Sequence, residues 1–191
     1  MGKGRLIMER KNSEGFALRG INHLALVCKD MAKTVHFYRD ILGMPLIKTL
    51  ELPNNGGQHF FFDCGNGNSI AFFWFPKAPE ALPGVVQAKH GGGVSAHGSM
   101  NHLAIDVDGA ELLKYRQKLI DKGIEVTDVK NHGDTTHSMG EDHDPTTFVR
   151  SIYFHDPDGI RLEFAAWTRE LGPQDISHPP RDAAGKPVER V

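Results

Sequence analysis

The sequence predicts an α+β fold in which one unit, a strand followed by a helix and three further strands, occurs twice. "INHLALV" at 21–27 and "MNHLAIDV" at 100–107 are near copies, and both have the alternation of half-buried strands. A helical segment and three β-rich segments follow each copy. The repeated order is therefore βαβββ, and the two copies hold His23 and His102 at the same point.

The first copy continues with an amphipathic helix predicted at 30–43. Asp30 is suited to cap its N-terminus, and Gly43 is suited to end it. The three strands that follow are predicted at 45–52, 59–64 and 69–75.

The second copy repeats this order, with a helix predicted at 108–123 between Asp108 and Gly123. Its three strands are predicted at 124–129, 148–154 and 160–167. The turn "DPDG" at 156–159 joins the last two as a hairpin, because its glycine can adopt a positive φ.

The repeat sets the expected domain organisation. Polar and proline-rich segments lie outside the repeat, and a glycine-rich segment joins its two copies. The predicted parts are a polar N-terminal extension at 1–18, a single domain at 19–167 (module one 19–76, connector 77–98, module two 99–167) and a proline-rich tail at 168–191.

The composition indicates which binding partners and which cellular compartment to expect. The formal net charge of −2 gives nucleic acid or an anionic membrane little to bind. The longest apolar run, at 70–75, is far too short to span a bilayer, and the N-terminus lacks the apolar core of a signal peptide. Two cysteines form no disulfide framework, so a cytoplasmic location is expected. The 11 histidines are the unusual count.

The duplicated "NHLAL" and "NHLAI" strand starts and the ending "RSIYFHDPDGIRLEF" resemble the vicinal oxygen chelate superfamily. That group includes glyoxalase I, fosfomycin-resistance thiol transferases, bleomycin-binding proteins and extradiol ring-cleavage dioxygenases. The resemblance covers about 19–167 and implies that the two modules form an eight-stranded cup with a divalent metal at its base. It does not single out one activity.

The resemblance also implies the metal ligands, since the family places them on the first and last strand of each module. These positions hold His23, His102 and Glu163, whereas the fourth position holds Ala71, which cannot coordinate a metal. Two histidines and one carboxylate with open positions are typical of non-haem Fe(II) oxygenases. The cofactor is therefore expected to be Fe(II), with Mn(II), Zn(II) or Ni(II) as alternatives.

Two further residues match roles in the ring-cleavage dioxygenases. Tyr153, ten residues before Glu163, matches a tyrosine that donates a hydrogen bond to the metal-bound substrate oxygen. His143, in the long loop at 130–147, matches a histidine that binds substrate or transfers a proton, with His137 and His132 as less well placed alternatives.

One residue departs from that pattern. Many ring-cleavage dioxygenases have an acid–base histidine just before the last strand of module one, where this chain has Asn68. An asparagine can form a hydrogen bond with a reacting oxygen, but it cannot relay a proton. Either His59 or His143 then takes over this task, or the reaction differs from catechol cleavage.

The wall of the predicted cup is aromatic. Phe73 and Phe75 share a strand face with Ala71, and with the neighbouring His59 they are the expected substrate-binding residues. Such a wall suits a flat apolar substrate. A packed core face is the competing interpretation.

Three functions follow as hypotheses. The first is an Fe(II)-dependent extradiol-type dioxygenase that cleaves a catechol-like or hydroquinone-like aromatic with O2. The alternative is a glyoxalase-like isomerase or thiol transferase that uses Mn, Zn or Ni, and the third is a non-catalytic protein that binds small molecules in the same cup. A homodimer is expected on base rates, and the sequence leaves open whether the modules pair within one chain or between subunits.

Overall fold

The computed structural model describes residues 21–80, 97–133, 139–140 and 145–175, together with a few positions in the tail. The predicted N-terminal extension, much of the connector and ten of the 24 residues of the tail lie outside the described residues. The same holds for two of the loop histidines, His137 and His143.

The first module forms a four-stranded sheet in the order β1-β4-β3-β2. Strands β1 and β4 are parallel, and the other neighbours are antiparallel. Its elements are β1 (His23–Val27), α1 (Met31–Val35), a π-helical turn (His36–Ile41), β2 (Leu46–Leu52), a 3-10 turn (Pro53–Asn55), β3 (Gly57–Gly65) and β4 (Asn68–Trp74).

The second module repeats this topology in the order β5-β9-β8-β6-β7, with β5 and β9 parallel. The short β7 has no counterpart in the first sheet and pairs with β6. Its elements are β5 (Leu103–Asp106), α2 (Leu112–Asp121), β6 (Lys130–Gly133), β7 (Met139–Gly140), β8 (Thr147–His155) and β9 (Arg161–Trp167), and a 3-10 turn (Pro173–Asp175) follows in the tail. The α+β fold of two βαβββ modules is confirmed.

The first helix starts as predicted but changes character. The Asp30 side chain caps it by accepting a hydrogen bond from the Lys33 amide at 3.1 Å. The α-helix ends at Val35, and the predicted segment continues as the π-helical turn. Gly43 then adopts a φ of +79° and reverses the chain, as its position predicts.

The second helix and the strand after it begin later than predicted. Asp108 caps a preceding turn through the Ala110 amide, so the helix begins only at Leu112. The prediction of a strand at 124–129 is wrong, because the ladder with β8 begins at Lys130. The apolar residues at 124, 126 and 129 do pack against the core, which explains their alternation.

The predicted DPDG hairpin is confirmed. The buried carboxylate of Asp156 accepts hydrogen bonds from the backbone amides of Asp158 and Ile160 at 2.9 and 2.8 Å. Gly159 adopts a φ of +81°, which closes the turn between β8 and β9.

One continuous apolar core joins the helix-facing sides of the two sheets. Its buried residues include Tyr38, Phe62, Phe72, Ile152, Phe154 and Leu162. Polar contacts reinforce the junction: the Tyr38 hydroxyl donates to Asp156 at 3.1 Å, and the Lys122 ammonium donates to the carbonyl of Ile41 at 2.7 Å. The modules therefore meet through their helix sides, which leaves the opposite sheet faces for the site.

Candidate metal centre

The two sheets place their candidate ligands at identical registers. Ala71 on β4 pairs with the residue two positions after His23, and Glu163 on β9 pairs with the residue two positions after His102. Ala71 and Glu163 are therefore equivalent positions, as the comparison of the two repeats predicts.

The asparagine before each histidine fixes its imidazole in the same way. The Nδ1–H of His23 donates to the side-chain oxygen of Asn22 at 2.8 Å, and that of His102 donates to Asn101 at 2.6 Å. In this tautomer each Nε2 carries a free lone pair. The repeated Asn-His pair therefore presents two imidazole nitrogens as acceptors or metal ligands.

Glu163 is the charged residue among the candidate ligands of the second module. Its carboxylate is buried, Ser151 donates a hydrogen bond to Oε1, and Oε2 lies 2.8 Å from His102 Nε2. An imidazole lone pair and a carboxylate oxygen both accept, so this distance requires a proton or a cation between them. The pair therefore fits a divalent metal, and it supplies two ligands of the kinds that Mn, Fe, Ni and Zn accept.

Two more polar side chains join this half. The Tyr153 hydroxyl lies 3.1 Å from His132 Nε2, and the Tyr153 ring meets the His102 ring edge-on at 5.8 Å. Burial and, secondarily, the charge of Glu163 raise the pKa of Tyr153 to about 12, so it stays a neutral phenol. Burial lowers the pKa of His132, which favours its neutral form.

The corresponding face of the first sheet is an aromatic wall. The His59 ring stacks on Phe73 with centroids 3.6 Å apart, and Phe73 stacks on Phe75 at 5.3 Å. Phe61 meets the His23 ring edge-on at 5.6 Å. His59 Nε2 is buried without a hydrogen-bond partner among the residues that the structure describes.

The structure brings some predicted site residues together and separates others. His102, Glu163 and Tyr153 meet at one sheet face, whereas His23 lies on the other sheet among the aromatic side chains. Within the described part of the chain, no three His, Cys, Asp or Glu side chains converge on a point where they could hold a metal ion. Among the described residues, the contacts therefore form two separate groups: a polar half-site of His102, Glu163, Tyr153 and His132 on the second sheet, and His23 beside the aromatic side chains of the first.

Asn68 lies at the turn between β3 and β4. Its side-chain amide donates to the carbonyl oxygens of Gly65 and Asn66 at 3.2 and 3.3 Å, which gives it a structural role in the turn. His143 lies outside the described residues. His132 instead lies in the polar half-site, beside Tyr153. In the sequence, the feature that marks it is its position in the long loop at 130–147, which contains three histidines.

The double βαβββ fold, with a histidine at the start of each module, is the architecture of the vicinal oxygen chelate superfamily. The sequence profile of the Glyoxalase/Bleomycin resistance protein/Dioxygenase superfamily matches residues 20–164, and the chain belongs to that superfamily. Members are mostly enzymes, bind divalent metals and typically form homodimers.

Individual relatives are distant. The chain is 28% identical to the uncharacterized protein YwkD of Bacillus subtilis (76% of this chain, 95% of the relative). It is 26% identical to mitochondrial methylmalonyl-CoA epimerase of Mus musculus (65% and 67%) and 26% identical to lactoylglutathione lyase of Salmonella typhimurium (74% and 87%). The crystal structure of SMU.1112c matches with a TM-score of 0.57 at 26% identity, over 78% of this chain and 98% of the other. In the described residues, no helix is long and apolar enough to cross a membrane.

Proposed function

We propose that this protein is a divalent-metal-dependent enzyme that chelates two neighbouring oxygens of its substrate and moves a proton, as an isomerase, epimerase or lyase does. The observation that carries this proposal is the polar half-site, in which the His102–Glu163 pair adjoins the Tyr153–His132 pair. Named relatives are an epimerase and a lyase, and these reaction types need an acid and a base rather than an oxidant. The extradiol dioxygenase expected from the sequence becomes the second candidate.

The residues divide the work between holding the metal and handling the substrate. His102 and Glu163 would hold the metal with His23 as the third ligand, and Ser151 keeps the Glu163 carboxylate in position. The bound metal would act as a Lewis acid towards a substrate oxygen. Tyr153 stays a neutral phenol, and its hydroxyl, which lies 3.1 Å from His132 Nε2, would contact the reacting part of the substrate.

We further propose that a second copy of the chain completes the cup. The His23 face of β1 is exposed, including Val27 at 51%, and so is the face of β5 that carries Ala104 and Asp106. Within one chain, the described polar contacts and the apolar core that join the modules lie on their helix sides. A symmetric dimer would place module one of each copy on module two of the other and would build two sites.

The aromatic wall favours a planar substrate. His59, Phe73 and Phe75 stack in parallel beside the open position at Ala71. A planar enolate or diol would lie against such a wall while its oxygens reach the metal. The same feature supports the second candidate, because Ala71 leaves a His-His-carboxylate set of the kind that Fe(II) oxygenases use with aromatic diols and O2.

The test combines metal analysis with two assays. Anaerobically purified protein is analysed for Mn, Fe, Ni and Zn, with about one divalent ion per chain expected. Deuterium exchange from D2O into vicinal-oxygen substrates is then followed, including the glutathione hemithioacetal of methylglyoxal and methylmalonyl-CoA. Metal-dependent exchange without O2 uptake supports the proposal. O2 uptake with aromatic diols supports the dioxygenase instead, and binding without either reaction indicates a non-catalytic protein.

We place the enzyme in the cytoplasm. Its two cysteines are both free, with Cys28 buried and Cys64 partly buried. Free cysteines persist in reducing compartments. Fractionation of the source cells with an antibody to the protein would test this assignment.

A further inference from the structure

His132 sits in the polar half-site without belonging to the expected ligand set. It lies on β6 and reaches across to β8, where its Nε2 is 3.1 Å from the Tyr153 hydroxyl. Its partner Tyr153 pairs with Glu163 across the β8–β9 ladder and meets the His102 ring edge-on at 5.8 Å, so His132 lies beside the candidate metal position. Because no three such side chains converge among the described residues, His132 is not a member of a ligand cluster within one chain.

The first module shows which side chains the same fold holds at the positions equivalent to His132 and Tyr153. The β6–β8 ladder pairs His132 with Val149, and the β2–β3 ladder pairs Leu52 with the equivalent residue, Gly57. By the same register Phe61 is equivalent to Tyr153, since they pair with Ala71 and Glu163 respectively. The first module therefore folds with the apolar side chains of Leu52 and Phe61 at these positions. Since the fold does not require polar side chains there, His132 and Tyr153 call for a chemical explanation.

We propose that His132 is the proton acceptor of the site and works through the Tyr153 hydroxyl, which rests on the proton-transfer function proposed above. An acidic proton of the chelated substrate passes to Tyr153 Oη while the phenolic proton of Tyr153 passes to His132 Nε2. The bond from the substrate to hydrogen breaks, its electron pair stays on the substrate as an enolate-type anion, and the Nε2–H bond forms. The reverse transfer delivers a proton to the product, so no oxidant or reductant is needed.

The surroundings agree with this role. His132 is half-buried and favours its neutral form, which is the form that can accept a proton. Tyr153 remains a phenol and can therefore both donate and accept hydrogen bonds. Among the described residues, the titratable groups that face the pair include Glu163 on β9, His102, and Arg161, whose guanidinium lies 4.2 Å from the centroid of the Tyr153 ring.

The first experiment tests the contact in metal-free protein. The ring-nitrogen shifts of His132 are recorded by NMR in the wild type and in Tyr153→Phe. A change confined to His132 Nε2 is expected, because the phenylalanine removes its only observed hydrogen-bond partner within the described chain. Unchanged His132 shifts would overturn the pairing, and this result is independent of whether the proposed function holds.

The second experiment tests the proton transfer in the metal-loaded enzyme. His132→Leu copies Leu52 of the first module, and His132→Gln keeps a hydrogen-bonding group that cannot accept a proton. Both variants are expected to lose about 10²-fold or more in kcat for deuterium exchange while KM and metal content change little. His36→Gln, at the exposed start of the π-helical turn, serves as the control.

Three results would contradict the role of His132. Wild-type kcat in His132→Gln would mean that His132 only positions Tyr153. Metal loss in His132→Leu would mean that His132 supports the metal site instead. A folded His132→Ala variant should regain activity when about 20 mM imidazole is added as a small-molecule proton acceptor. No recovery of activity would also count against proton acceptance by His132.

Discussion

The two modules present opposite chemistry at equivalent positions of the same sheet framework. The first module carries Ala71, Phe61, His59 and Leu52 where the second carries Glu163, Tyr153, Ser151 and His132. One set forms an aromatic wall, and the other forms a connected polar cluster. The first-strand histidine and the asparagine before it are retained in both. The fold therefore fixes the positions, and the side chains at those positions make one face aromatic and the other polar.

The physical cost of a buried charge explains why the polar side chains occur together. A buried carboxylate is tolerated only with partners, and Glu163 has both His102 and Ser151. At the equivalent position the first module has Ala71, which is fully buried and pairs with Phe61, so this half carries no carboxylate there. The two modules therefore differ in whole groups of interacting side chains rather than in single residues.

The largest expected effect follows from removing the charge of the second half. Glu163→Ala makes that position like Ala71 of the first module, so the fold should persist while the metal is lost. Metal affinity is expected to fall by more than about 100-fold, beyond the range for residues that only support a ligand. Calorimetric metal titration and circular dichroism measure the two outcomes, and full metal affinity in a folded Glu163→Ala would contradict the assignment.

The converse substitution, Ala71→Glu, places a charge in the apolar half. Without metal the buried carboxylate lacks partners, so the free energy of unfolding of the metal-free protein should fall by about 3 kcal/mol. Added Zn(II) should recover much of this loss by using the new ligand, and the original activity should decrease. Urea unfolding with and without Zn(II) tests this. An unchanged midpoint in both conditions would mean that Ala71 does not border the metal.

A smaller effect is expected in the aromatic wall. Phe73→Ala removes the ring that stacks on both His59 and Phe75, so a planar aromatic diol should bind about five-fold more weakly. Metal content should stay the same, because no ligand is touched. Fluorescence titration measures the change, with Leu113→Ala on the exposed side of the second helix as the control. Equal diol affinity in wild type and Phe73→Ala would place the ligand elsewhere.

The smallest effect concerns two arginines at comparable places in the modules, Arg39 in the π-helical turn and Arg116 in the second helix. Arg39 and then His36 hold the pKa of the neighbouring Asp40 at about 2, whereas Arg116 of the second helix binds the Thr127 carbonyl and Asp128. Because the folded pKa of Asp40 lies below its ordinary value, its contribution to stability is present above about pH 4 and is lost as the pH falls towards 2. In Asp40→Asn, the urea midpoint of unfolding should depend less steeply on pH between pH 2 and 4 than in the wild type. An equally steep dependence would contradict this pKa.

Local signals in the sequence predicted much of the fold. The duplicated first strands, the cap at Asp30 and the turn at 156–159 depend on neighbouring residues, and all are confirmed, with the second first strand beginning one residue after His102. The equivalence of Ala71 and Glu163 also follows from the repeat, and the strand registers agree with it.

The features that could not be predicted depend on contacts between distant segments. The strand expected at 124–129 is displaced because the ladder with β8 begins at Lys130, which no local pattern reports. His132 reaches Tyr153 across that ladder, 21 positions along the chain. The separation of His23 from Glu163 is a property of how the modules pack, and single-strand periodicity contains no information about it.

The central claim is that two copies of the chain share each site, and co-expression of His23→Ala with Glu163→Ala tests it most directly. Each variant alone should be inactive and metal-poor. In a mixed dimer, the unaltered module one of the Glu163→Ala chain meets the unaltered module two of the His23→Ala chain. About a quarter of the wild-type activity and tightly bound metal should therefore return when subunits pair at random. A mixture that stays as inactive as either variant alone would contradict the account and would mean that each cup closes within one chain.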